Sequence, residues 1–67
     1  MYKFMAPTKP QVHRLHRWDL EGIHPHNDQY WNTMLRFGYV DCDDGLRHIT
    51  RLGWLALAYG EEAGWIE

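Results

Sequence analysis

The sequence predicts an α+β fold of two helices, a β-hairpin and a C-terminal helix, in a single domain spanning residues 1–67. Three observations carry this. Asp44-Gly45, among the strongest short turn signals, separates Tyr39-Val40-Asp41-Cys42 from Leu46-Arg47-His48-Ile49. Thr50 precedes Leu52, Leu55, Ala56 and Tyr59, a capping residue followed by an apolar stripe at helical spacing. Upstream, Val12 and Leu15, then Met34 and Phe37, recur at helical intervals and supply two helices to cover one face of the hairpin.

In chain order, residues 1–7 form an N-terminal arm that ends at Pro7. Thr8 is the expected cap of the first helix, and Pro10 falls in its first turn, where a missing N–H costs nothing. Val12, Leu15, His16 and Asp19 share one face, with Trp18 beside Leu15 and Leu20 near the end of the stripe. His13, Arg14 and Arg17 fall outside, and Gly22 is the stop. After a connector containing Pro25, Asn27 or Asp28 caps a second helix running to about Phe37. Tyr30 or Trp31 with Met34, Leu35 and Phe37 is its inward side, and Gly38 supplies the C-terminal turn. The hairpin follows, with strands over 39–42 and 46–49 and the turn at 43–45. In the last helix Leu52, Leu55, Ala56 and Tyr59 point inward, Trp54 and Leu57 flank them, and Gly53 marks a close crossing over the hairpin. Gly60 or Gly64 ends it, and Glu61 and Glu62 at the unfavourable end of the helix dipole predict fraying there.

At 67 residues the chain is near the lower limit for folding without staples, where one core supplies roughly 3–5 kcal/mol. Four tryptophans, four tyrosines and two phenylalanines offset this, since each buried ring removes about 150–250 Å² from water. Trp18 and Trp54 are expected in the core. Cys42 is the single cysteine, so no internal disulfide forms, and it reads as a packing residue of a reducing, cytoplasmic compartment. The first ten residues lack the apolar run of a signal peptide, and no stretch approaches the ~18 apolar residues of a membrane span. The formal net charge is −2, with Lys and Arg concentrated in residues 1–36 and acids in residues 37–67.

Two segments carry a resemblance. Ile49-Thr50-Arg51-Leu52-Gly53-Trp54-Leu55-Ala56-Leu57 resembles the strand-to-helix junction that closes the wing in small winged helix-turn-helix proteins, and Met34-Leu35-Arg36-Phe37-Gly38-Tyr39-Val40 resembles the end of their recognition helix turning into the first wing strand. The likeness covers residues 28–58 and is of the kind met in small bacteriophage and mobile-element proteins. It implies DNA binding and transcription regulation, with a homodimer among the expected assemblies. Residues 22–27 leave no room for the short middle helix of a complete helix-turn-helix. Either the first helix doubles as scaffold or the fold is a trimmed α-α-β-β-α version.

The resemblance places Gln29, Asn32, Thr33 and Arg36 of the second helix toward bases or phosphates, with Arg14, Arg17 and Lys9 on the first helix and Arg47 on the wing holding the backbone. Asn and Gln suit adenine edges, and Arg suits guanine or phosphate. Asp43 and Asp44 at the wing tip repel phosphate. The alternative is a protein-binding module, such as a phage-encoded inhibitor of a host or defence protein, anchored by Trp31 and Trp65. His13 and His16 have HxxH spacing and His24 and His26 flank Pro25, which suits zinc, but HExxH and a second cysteine are missing. The histidines are therefore read as surface or interface residues, and no cofactor is expected. Asp41, Asp43 and Asp44 are read as solvated turn acids; with no nucleophile–base arrangement, no catalysis is expected.

Overall fold

The computed structural model describes residues 6–23 and 29–66. Its elements are α1 (Lys9–Glu21), α2 (Gln29–Phe37), β1 (Val40–Asp43), β2 (Leu46–Ile49) and α3 (Arg51–Glu62). This is the predicted α+β order: three helices and a two-stranded antiparallel hairpin between the second and third, a winged-helix-like layout. The arm at residues 1–5 and the proposed caps Asn27 and Asp28 lie outside the described residues.

Three of the helix ends among the described residues show their local cause directly. Thr8 caps α1 in a reciprocal box: Gln11 N–H donates to Thr8 Oγ1 at 3.4 Å, and Thr8 N–H donates to Gln11 Oε1 at 2.9 Å. Gly38, at φ 81°, closes α2 with a paired motif in which Tyr39 N–H reaches the Met34 carbonyl at 2.9 Å and Gly38 N–H reaches Leu35 at 3.1 Å. Gly64, at φ 78°, repeats the motif after α3, with Trp65 N–H on the Gly60 carbonyl at 2.8 Å and Gly64 N–H on Glu61 at 3.1 Å. α3 runs to Glu62, and with Ala63 N–H on the Tyr59 carbonyl at 2.9 Å these bonds satisfy the carbonyls of Tyr59, Gly60 and Glu61.

The hairpin pairs Val40 with Ile49, Asp41 with His48, Cys42 with Arg47 and Asp43 with Leu46. Its loop is the two residues Asp44 (φ 56°) and Gly45 (φ 80°), both left-handed as the strand twist requires. β1 begins one residue later than predicted because Tyr39 spends its N–H on the α2 terminus. Leu46 and Ile49 are three apart and face opposite sides of a strand, which leaves Leu46 exposed. Cys42 is exposed, not packed; it lies toward the hairpin tip, past the Val40–Ile49 pair that meets the core.

The core consists of Val12, Leu15, Trp18, Met34, Tyr39, Val40, Ala56 and Leu57. Asp19 and Leu20 are exposed at the last turn of α1, and Leu35 is exposed on α2. The largest correction concerns α3. Its buried residues are Gly53, Ala56, Leu57 and Gly60, while Leu55, Tyr59 and Trp54 face outward. The helix is turned by about 100°, one residue step, from the face that hydrophobicity alone selects. Close approach is the reason: a Cβ on Gly53 would overlap the Tyr39 carbonyl oxygen and press on an Ile49 methyl, and one on Gly60 would overlap a Val12 methyl. Gly60 is therefore an interior contact with α1 and not a helix end.

Replacing Gly53 with Ala is expected to lower the unfolding free energy by about 2 kcal/mol despite better helix propensity, because the nearest obstructing atom is the backbone carbonyl oxygen of Tyr39. Gly60→Ala meets only a side chain, and the added Val12→Ala change makes room for the new methyl. Urea denaturation of the two single variants and the double should therefore show a non-additive recovery of about 1 kcal/mol.

Candidate nucleic-acid interface

The outward face of α2 follows from its period. Met34 is buried and Tyr30, Trp31 and Phe37 are half-buried, which turns Gln29, Asn32 and Arg36 to solvent. Thr33 is half-buried beside them, its hydroxyl donating to the Gln29 carbonyl at 3.5 Å. The four α2 residues expected to face nucleic acid therefore share one side, with Thr33 partly spent on its own backbone. Among the described residues Arg36 makes no ion pair.

Two of the expected backbone-holding arginines stand at the flanks of this helix. The Arg14 guanidinium carbon lies 5.0 Å from the centre of the Tyr30 ring, and that of Arg47 lies 5.7 Å from the centre of Trp31. Trp31 in turn meets buried Trp18 edge-on at 6.1 Å, so the ring beneath Arg47 is anchored to the core. Arg47 reaches α2 because strand alternation puts it on the same side as Ile49, above the helices. Arg17 is different: it is exposed and pairs with Glu21 at 3.4 Å, a weak surface ion pair that offsets its charge. Between α1 and α2, Pro10, His13, Arg14, Arg17 and Tyr30 line a shallow open groove of about 260 Å³.

The remaining candidates are distributed elsewhere. Trp65 is half-buried, tilted against Tyr59 with ring centres 5.6 Å apart, and its carbonyl lies 3.0 Å from His13 Nε2. His13 is thus a tie between α1 and the chain end. His16 is half-buried, and His24 and His26 lie outside the described residues. Among the described residues no three His, Cys, Asp or Glu side chains converge as a metal site would require. No described helix is long and apolar enough to cross a membrane. Asp43 and Asp44 occupy the exposed hairpin tip.

The residue pattern alone points to the exposed α2 face. It does not show that Tyr30 and Trp31 seat two arginines from different elements, because those contacts join residues brought together only by folding. Trp31→Ala, which removes the seat of Arg47 and the contact with Trp18, is expected to cost about 2 kcal/mol in thermal or denaturant unfolding. Arg36→Ala should stay within about 0.5 kcal/mol of the parent in the same assay, as an exposed residue that gives up only a favourable charge at the last turn of α2. Neither family models, nor curated proteins, nor solved structures match this chain.

Proposed function

We propose that this chain is a small DNA-binding, transcription-regulating protein of winged-helix type that presents α2 to the major groove. The observation that carries this reading is the exposed Gln29–Asn32–Arg36 face, flanked by Arg14 on α1 and Arg47 on β2. Asn and Gln side chains match adenine edges and Arg matches guanine, while flanking guanidiniums neutralise phosphates. Seating Arg14 and Arg47 on aromatic rings restricts their rotamers before binding and so lowers the entropy lost on contact.

The acids shape the approach. Asp43 and Asp44 at the hairpin tip disfavour insertion of the tip beside phosphates, so the wing contributes through Arg47 within β2. With two phosphate-holding arginines and a net charge of −2, affinity is weak and salt-sensitive. The lone exposed thiol of Cys42 suits a reducing, cytoplasmic setting.

Fluorescence anisotropy on random-sequence duplex DNA tests this. Binding is expected at low salt, with log K falling against log salt at a slope of roughly −2. Arg47→Ala should weaken binding on all sequences and flatten the slope by about 1. Arg36→Ala should cost about 1–3 kcal/mol on a selected site and relax its sequence preference. Absence of binding at low salt overturns the reading and leaves the protein-binding alternative.

A further inference from the structure

We infer that the outer face of α3 pairs antiparallel with α3 of a second copy of this chain. The buried face of α3 is used up by Gly53, Ala56, Leu57 and Gly60. On the opposite side Arg51, Leu55, Ala58 and Glu62 form a straight exposed seam at spacings of four, three and four, and Trp54 and Tyr59 border it. Trp54, Leu55 and Tyr59 are 48%, 50% and 42% exposed, a large apolar load for a chain this small. Leu55, Ala58, Tyr59 and Glu62 line an open depression of about 460 Å³ along it.

The seam is self-complementary about its own midpoint. A two-fold axis through the point midway between Leu55 and Ala58 sets each Leu55 opposite Ala58 of the second copy, large against small. The same axis sets each Arg51 opposite Glu62 of the second copy, at both ends of the contact. Trp54 and its symmetry mate then close one flank, and Tyr59 and its mate close the other. This is what an isologous interface requires of a single surface. Ala58 at the centre lets the helix axes approach to the roughly 8–10 Å of packed helices.

The placement of the same two charges on their own helix points the same way. α3 has no acidic residue in its first turn and no basic residue in its last; Arg51 opens it and Glu62 ends it. Both charges oppose the dipole of their own helix. In the antiparallel pair each Glu62 lies beside the N-terminus of the facing helix and each Arg51 beside its C-terminus, so the unfavourable placement in one copy becomes favourable between two. The interface uses neither α2 nor Arg47, so it stands apart from the DNA reading.

Sedimentation equilibrium of the full chain without DNA, across micromolar concentrations, tests the pairing. A reversible dimer is expected. Arg51→Glu or Glu62→Arg alone sets like charges together at both ends and should weaken dimerisation at least about tenfold. The double exchange should restore it to within about threefold of the parent. Leu55→Glu should abolish it. Circular dichroism checks that the variants remain folded, as expected because both charge reversals suit the dipole of the isolated helix. A chain that stays monomeric throughout overturns the proposal. So does a dimer indifferent to Arg51→Glu, or a double exchange that fails to rescue.

Discussion

The fold depends on one clasp, centred on Thr50. Its hydroxyl accepts from Gly53 N–H at 3.2 Å and donates to the Gly38 carbonyl, while Thr50 N–H reaches the Tyr39 carbonyl at 3.0 Å. A single residue thereby joins the end of α2, the entry to β1, the exit from β2 and the start of α3. The bonds are part-buried and leave no buried side-chain polar atom unsatisfied among the described residues. In a domain with so few buried side chains, fixing four element ends at one point limits how many other packings compete.

The clasp also explains the composition of α3. Holding the helix start against Tyr39 brings its backbone so near that only glycine fits at position 53, and the same line of approach meets α1 at Gly60. Close contact is made through Gly53, Ala56 and Gly60, with Leu57 buried beside them, and Trp54, Leu55 and Tyr59 are displaced to the outside. Two constraints on a short helix conflict here: close backbone packing asks for glycine, and core volume asks for leucine or tryptophan. The structure satisfies the first on α3 and draws the second from Leu15, Trp18 and Met34 on the other helices. The large residues left outside are the ones on which the proposed antiparallel pairing rests.

Electrostatics follow the same division of labour. Basic side chains gather about α2, where Arg14 and Arg47 rest on Tyr30 and Trp31. Acidic side chains gather at the hairpin tip and the end of α3. The molecule thus keeps Arg14 and Arg47 around α2 on one side, while the outer face of α3 carries Arg51 at one end and Glu62 at the other. The weak overall charge makes local placement of each arginine matter more than the sum.

Much of this was legible in residue order. Thr8, Gly38, Asp44-Gly45 and Thr50 act through neighbours within a few positions, so caps, turn and element order follow from local chemistry. The outward face of α2 was equally local, since helical period alone separates Gln29, Asn32 and Arg36 from Met34. Tertiary structure decided the rest. The rotation of α3 was hidden because hydrophobic periodicity weighs leucine above glycine and carries no information on interhelical distance. The pairing of Arg47 with Trp31, of His13 with Trp65, and the exposure of Cys42 and Leu35 were hidden because each depends on where distant elements end up. The sequence by itself determined which elements form and where they stop. Which side of α3 is buried, and so which of its residues stay exposed, was decided only when the Thr50 clasp set its distance from the hairpin and α1.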